Sequence, residues 1–87
     1  MLQAFCEQVR EYKPQLETYF ANDDWEQYAI IAHALKGNAL NIGAVEFSGL
    51  SKKHEFAGKE CNKAFIQKEY AIYVNVLDEL VEKIEKM

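Results

Sequence analysis

Proline and glycine are scarce in this 87-residue sequence, which contains one proline and four glycines. All-β domains of this length need many turns, and turns depend on these two residue types. The shortage therefore favours helices. The chain is also shorter than one typical domain of roughly 150 residues, so we predict a single domain over residues 1–87.

Positive charge is also in short supply, because ten Lys and Arg residues face fourteen Asp and Glu residues, for a net charge of −4. Nucleic-acid binders and membrane-surface modules normally carry a basic field, so we expect neither nucleic acid nor a membrane as a partner. No apolar run approaches the ~18–20 residues that cross a bilayer, and the first residues lack the pattern of a signal peptide. We therefore expect a cytoplasmic location.

Only two cysteines are present, Cys6 and Cys61, and they form no C-x-x-C motif. Nothing in the sequence points to an oxidising compartment, so we expect two reduced, structural thiols. Apolar material is abundant by contrast, with 49% hydrophobic residues. That content argues against intrinsic disorder.

Apolar residues recur at helical spacing in four segments, which predicts an all-α, antiparallel, up-down-up-down four-helix bundle. Pro14 interrupts the first segment and predicts either a kink in one long helix or the first turn of a second, shorter one. We expect a loop at residues 58–63. The apolar faces comprise Leu2, Phe5, Val9, Tyr12, Leu16 and Tyr19 in the first segment, Phe47, Leu50, His54, Ala57 and Cys61 in the third, and Ile66, Tyr70, Tyr73, Leu77, Leu80 and Ile84 in the last.

The second helix is predicted to run from about Asp24 to about Asn41. Residues 22–24 offer turn and N-cap chemistry, and Glu26 lies three residues after Asp23, as in a capping box. Gly43 is a natural stop after the helix, or a sharp turn into the next one.

The outer face of this second helix is unusual. Its core face comprises Tyr28, Ile31, Ala32, Leu35, Ala39 and Ile42. His33 lies about 160° from the centre of that face on a helical wheel, so it points at solvent among small and apolar residues. Such a face is typical of a docking surface, although single exposed apolar residues are normal. The predicted docking surface comprises Glu26, Ala29, Ile30, His33, Lys36, Gly37, Leu40 and Asn41.

Three residues of this face favour group-transfer chemistry. A solvent-exposed imidazole such as that of His33 is largely neutral and nucleophilic at pH 7. Gly37, four residues later, costs about 1 kcal/mol inside a helix but leaves the space beside the ring open. Lys36 lies within reach of an anion on the ring and would offset a phosphoryl charge. The pattern predicts reversible phosphorylation of His33.

The motif H-A-L-K-G at residues 33–37, followed by I-G-A at residues 42–44, resembles the signature of histidine-containing phosphotransfer (HPt) domains. These domains are the phosphocarriers of multistep two-component relays. The resemblance implies a four-helix bundle in which His33 accepts the phosphoryl group through Nε2, Lys36 assists that group and Gly37 keeps the site open. It also implies a monomer without kinase or ATPase activity.

The resemblance further implies the partners, which are receiver domains and a hybrid sensor histidine kinase. The receiver brings an aspartate, an acidic pocket and Mg²⁺, so we expect no cofactor or metal bound by this chain itself. One departure is His54-Glu55, which stands where the family has a Leu-Glu pair. We interpret His54 as a histidine at the rim of the core that is satisfied by a hydrogen bond, because it falls on the apolar face of the third helix; the alternative is a second polar element near the end of the bundle.

Rival interpretations fit the residues less well. A kinase dimerisation domain has an acidic residue and a nearby proline after its histidine, and neither follows His33 here. A carboxylate-bridged metal enzyme needs Glu-x-x-His pairs, and this sequence has none. One alternative stays open, a non-catalytic docking module of degenerate HPt type. It would bind receiver or other signalling domains through the same surface without carrying phosphate.

Overall fold

The computed structural model describes residues 2–86, with side chains from residue 4 onward, so the predicted core position of Leu2 lies outside the described side chains. This part of the chain contains four α-helices and no strand. The helices are α1 (Leu2–Ala21), α2 (Trp25–Asn41), α3 (Val45–Lys59) and α4 (Lys63–Glu85). Consecutive helices pack together, and α4 returns to α1, which closes the predicted four-helix bundle.

Three-residue turns of one type connect all four helices. The central residue of each turn has a positive φ, 54° at Asp23, 77° at Gly43 and 54° at Cys61. The amide N–H of the following residue donates to a carbonyl five positions earlier, as from Asp24 to Tyr19 at 2.9 Å. This geometry is that of the Schellman motif, which ends one helix and turns the chain sharply toward the next.

The turn geometry corrects the predicted capping box. Asp24, rather than Asp23, is the N-cap of α2, and its carboxylate accepts a hydrogen bond from the Gln27 amide. Asp23 is unavailable as a cap because it occupies the left-handed centre of the turn. The prediction that Gly43 ends α2 and turns the chain into α3 is confirmed.

α1 is one continuous helix through Pro14, so of the two alternatives predicted there the single long helix is confirmed and the second, shorter helix is not formed. Proline has no N–H to donate to the carbonyl of Arg10, one turn earlier. Both residues are exposed, so water can satisfy that carbonyl. The helix tolerates the proline because the lost hydrogen bond lies on its solvent face.

The core draws on all four helices, and it contains two hydrogen-bonded pairs of polar side chains, whereas the buried hydroxyl of Tyr70 has no hydrogen-bond partner among the described residues. His54 Nδ1 lies 2.8 Å from the hydroxyl of Tyr28, which confirms the predicted hydrogen bond, but the residue is 1% exposed and so lies inside the core rather than at its rim. The buried Ser51 and Tyr73 hydroxyls form a second pair at 2.8 Å. The main buried apolar side chains are Phe5, Val9, Leu16, Trp25, Tyr28, Ile31, Leu35, Ala39, Phe47, Ile66, Tyr73 and Leu77.

Two predictions at the end of α3 are wrong. The predicted loop at residues 58–63 is shorter, because the helix continues through Gly58 and Lys59. Cys61 lies in the turn and is exposed, rather than on the apolar face of α3, whereas Cys6 is buried; both are free thiols. Within these two added helical residues, Gly58 packs closely on α2.

Candidate functional site

His33 lies in the middle of α2 and points away from the core, as the helical wheel predicts. Its side chain is 65% exposed. On the opposite face of the same helix, Tyr28, Ala32 and Leu35 are fully buried against the other helices. Because this buried face fixes the rotation of α2 in the bundle, the imidazole is held at the surface.

A buried carboxylate on α3 contacts the imidazole. Glu55 is 4% exposed at its side chain, and its Oε2 lies 3.0 Å from His33 Nδ1. The ammonium of Lys36 donates to Glu55 Oε1 at 2.7 Å, and that of Lys59 lies 3.0 Å from Oε2. A charge taken out of water is costly unless it is paired, and three donors surround this one.

The charge state of this carboxylate follows from its surroundings. Burial by itself raises the pKa of Glu55, but the hydrogen bonds from Lys36, Lys59 and His33 outweigh it and lower the pKa to about 2. Glu55 is therefore ionised at neutral pH. An ionised carboxylate has no proton to donate, so it acts only as an acceptor.

The carboxylate selects one tautomer of the histidine. Because Glu55 can only accept, His33 Nδ1 must carry the proton and donate it. The other nitrogen of a neutral ring, Nε2, then holds its lone pair. A nucleophile held in place by a neighbouring group is the arrangement that covalent catalysis requires.

The cluster carries surplus positive charge beside the ring. One carboxylate, that of Glu55, is set against two ammonium groups, those of Lys36 and Lys59. Lys36 comes from α2 and Lys59 from α3, so they flank the carboxylate from both sides. An anion bound at the imidazole would meet a favourable field.

A groove of about 610 Å³ opens beside the imidazole between α2 and α3. It is lined by Glu26, Ala29, Ile30, His33, Glu55, Gly58, Lys59 and Cys61. Three residues of the predicted docking surface, Glu26, Ala29 and Ile30, thus lie together with His33. The predicted exposure of Ala29 is wrong, because Ala29 is 4% exposed and packs against Gly58 of α3.

The remaining predicted surface residues lie farther along α2. Gly37 is exposed, and a Cβ built on it would meet no atom within 4 Å. Leu40 is an exposed large apolar residue, as Ile30 is. Asn41 is exposed and lines a separate small depression beside α1. The structure therefore places Asn41 at the edge of the surface rather than at the imidazole.

Two site residues were not predicted. Glu55 occupies the second position of the Leu-Glu pair expected from the resemblance, which was the available signal for it. Lys59 follows Glu55 by four residues, the spacing of an ion pair on one helix. Neither signal shows that the carboxylate is buried against α2, because that depends on how α3 packs.

The described part of the chain was also searched for a metal site and for a membrane-spanning helix. In residues 2–86, no group of three or more His, Cys, Asp or Glu side chains is placed to hold a metal ion. None of the four described helices combines the length and apolar character needed to cross a membrane.

The sequence as a whole matches one protein-family model. The matching model is described as the Hpt domain, and the match spans residues 1–87. No curated protein and no solved structure matches the chain.

Proposed function

The chain belongs to the Hpt domain family, and on that premise we propose that His33 accepts a phosphoryl group from a receiver-domain aspartate and passes it to another receiver. The family supports a phosphotransfer role in phosphorelays. The observation that carries the choice of residue is the 3.0 Å contact between His33 Nδ1 and the ionised Glu55. It leaves Nε2 as the nucleophile.

The proposed transfer balances without a proton leaving the site. The lone pair of His33 Nε2 attacks the phosphorus of the aspartyl phosphate, an N–P bond forms, and the P–O bond to the aspartate breaks. The aspartate departs as a carboxylate, and the imidazole becomes a cation that keeps its proton on Nδ1. Glu55 faces that proton, so its negative charge stabilises the cation that forms.

The two lysines serve the transferred group. A phosphoryl group adds about 1.5 to 2 negative charges near neutral pH. Lys36 and Lys59 both hold ammonium groups at Glu55, next to the ring. They offset the added charge, while a bound receiver supplies its own acidic pocket and Mg²⁺.

The proposed partners dock on the groove and its apolar border. Ile30 lines the groove beside His33, and Leu40 is exposed farther along the same helix. Receiver domains and a hybrid sensor histidine kinase are the proposed partners of a monomeric, cytoplasmic chain. The chain acts as a phosphocarrier, with no kinase or ATPase activity of its own.

The experiment that tests the proposal is phosphate acceptance from a phosphorylated receiver. We expect acid-labile phosphate on the wild type and none on His33→Gln, with the far-UV circular dichroism unchanged because His33 is exposed. The double variant Tyr28→Phe/His54→Leu is the matched control, since it removes the other histidine and should still accept phosphate.

Two outcomes would contradict the proposal. If His33→Gln still accepts phosphate, another residue is the phosphoacceptor. Binding of receivers without any phosphate acceptance, equal for wild type and His33→Gln, would instead support the non-catalytic docking module.

A further inference from the structure

Helices α2 and α3 approach each other unusually closely at Gly58, beside the phosphoacceptor. A Cβ built on Gly58 would lie 2.9 Å from Ala29 Cβ, 2.9 Å from the carbonyl oxygen of Trp25 and 3.2 Å from Ala29 Cα. Carbon atoms in favourable contact are about 3.5–4.0 Å apart. Two of these three neighbours are backbone atoms, so a side chain at residue 58 requires α3 to move away from α2.

The close contact at Gly58 lies near the contact between Glu55 and His33. Glu55 precedes Gly58 by three residues on α3, and His33 follows Ala29 by four residues on α2. Residues at these spacings lie one helical turn apart on the same face. The contact of Gly58 with Ala29 and the contact of Glu55 with His33 are therefore successive turns of one interface.

We propose that Gly58 is a positioning residue for His33, because the close approach it permits brings the Glu55 carboxylate within hydrogen-bonding distance of Nδ1. The inference rests on the proposed function, since it concerns the nucleophile of that reaction. The effect itself, that the spacing of α2 and α3 sets the tautomer of the imidazole, can be measured without phosphotransfer.

The distances support this dependence. A methyl group at residue 58 would have to withdraw by about 0.6 Å to reach an ordinary contact. Carried to the neighbouring turn, that shift lengthens the 3.0 Å contact between His33 and Glu55 to about 3.6 Å, at which no hydrogen bond remains.

The remaining partners of Glu55 make the loss selective. Lys36 and His33 both contact the carboxylate from α2, whereas Lys59 contacts it from α3 itself. When α3 withdraws by this amount, the carboxylate keeps Lys59, stays within about 3.3 Å of the Lys36 ammonium and loses the contact with His33. The imidazole is then free to carry its proton on Nε2, and in that form Nε2 has no lone pair with which to attack.

The test compares the tautomer of His33 in matched glycine variants. Gly49 lies on the same helix, and a Cβ there would meet no atom within 4 Å, so Gly49→Ala is the control for Gly58→Ala. Imidazole ¹⁵N NMR, assigned with His33→Gln, should show the Nδ1–H form in wild type and Gly49→Ala. In Gly58→Ala we expect a mixture with the Nε2–H form.

Phosphotransfer provides the second readout. Gly58→Ala should transfer about tenfold more slowly, which is the low end of what loss of a hydrogen bond to a charged group causes. Leu77→Ala controls for general destabilisation, because Leu77 is a fully buried α4 residue that does not line the groove. We expect it to lower stability and keep the wild-type tautomer.

The outcomes are decisive in each direction. A wild-type tautomer in folded Gly58→Ala would overturn the inference, as would the same altered tautomer in Leu77→Ala. If Gly58→Ala is unfolded in buffer, the spectra are recorded with sucrose, which favours the folded state. If wild type accepts no phosphate at all, the proposed function fails, while the tautomer comparison still decides the role of Gly58.

Discussion

Replacing His54 by leucine together with Tyr28 by phenylalanine removes both partners of a buried hydrogen bond, so neither group is left unpaired. The double change should also remove a source of acid sensitivity. Burial lowers the pKa of His54 from its ordinary 6.5 to about 4. Between these two pH values the unfolded chain binds a proton at this residue and the folded chain does not. The free energy of unfolding therefore falls as the pH falls through this window, and the contribution is complete above pH 6.5.

The magnitude follows from the size of the pKa shift. A difference of about 2.5 pH units corresponds to about 3 kcal/mol over the whole window, at about 1.4 kcal/mol per unit. About 2 kcal/mol of this should be lost between pH 7 and pH 5. That is a large fraction of the total stability of a small domain, roughly 0.05–0.15 kcal/mol per residue.

Urea unfolding at pH 7, 6 and 5, followed by circular dichroism, measures the effect. Wild type should lose about 2 kcal/mol more than Tyr28→Phe/His54→Leu over this range. The range stops at pH 5 so that Glu55 does not contribute. The pKa of Glu55 is lowered from 4.5 to about 2, so the stability that its ionised form supplies is lost only as the pH falls below about 4.5. Equal losses in both proteins would refute the reasoning, since His54 would then not be held neutral by the core.

Two further predictions concern the site itself. Gly37→Ala should raise the free energy of unfolding by about 1 kcal/mol in urea titrations, because the added methyl meets no neighbour. Gly37→Gln should slow phosphotransfer, because its side chain obstructs the approach to His33. An unchanged transfer rate would show that Gly37 has no role in access to the imidazole. Glu55→Gln should lower stability by about 1–3 kcal/mol, since a neutral amide cannot balance Lys36 and Lys59, and should slow transfer roughly tenfold because the amide can also donate to Nδ1. Wild-type transfer rates in Glu55→Gln, measured beside His33→Gln, would show that the carboxylate does not orient the ring.

The two wrong predictions for Ala29 and Cys61 share one physical cause. Ala29 was predicted to be exposed because the helical wheel places it near His33, yet Gly58 of α3 covers it. Cys61 was assigned to the face of α3 because the spacing continues, yet the chain turns there with a positive φ. In both cases periodicity describes one helix alone, whereas the outcome depends on where a second helix or a turn lies.

Local chemistry was enough for much of the protein. The spacing of apolar residues determined four helices and their buried faces, and through the face of α2 it determined that His33 is exposed. The stop at Gly43 was also readable, since a left-handed residue ends a helix by local backbone geometry. These features depend on neighbours within one or two helical turns.

The partner of the imidazole depends on the tertiary structure. Glu55 is 22 positions from His33 in sequence, and a glutamate in a polar stretch of helix is ordinarily solvated. Its burial and its contacts with His33 and Lys36 depend on the packing of α3 against α2. Helical periodicity determines which face of each helix is buried, but the distance between two helices depends on the side chains that meet in the contact.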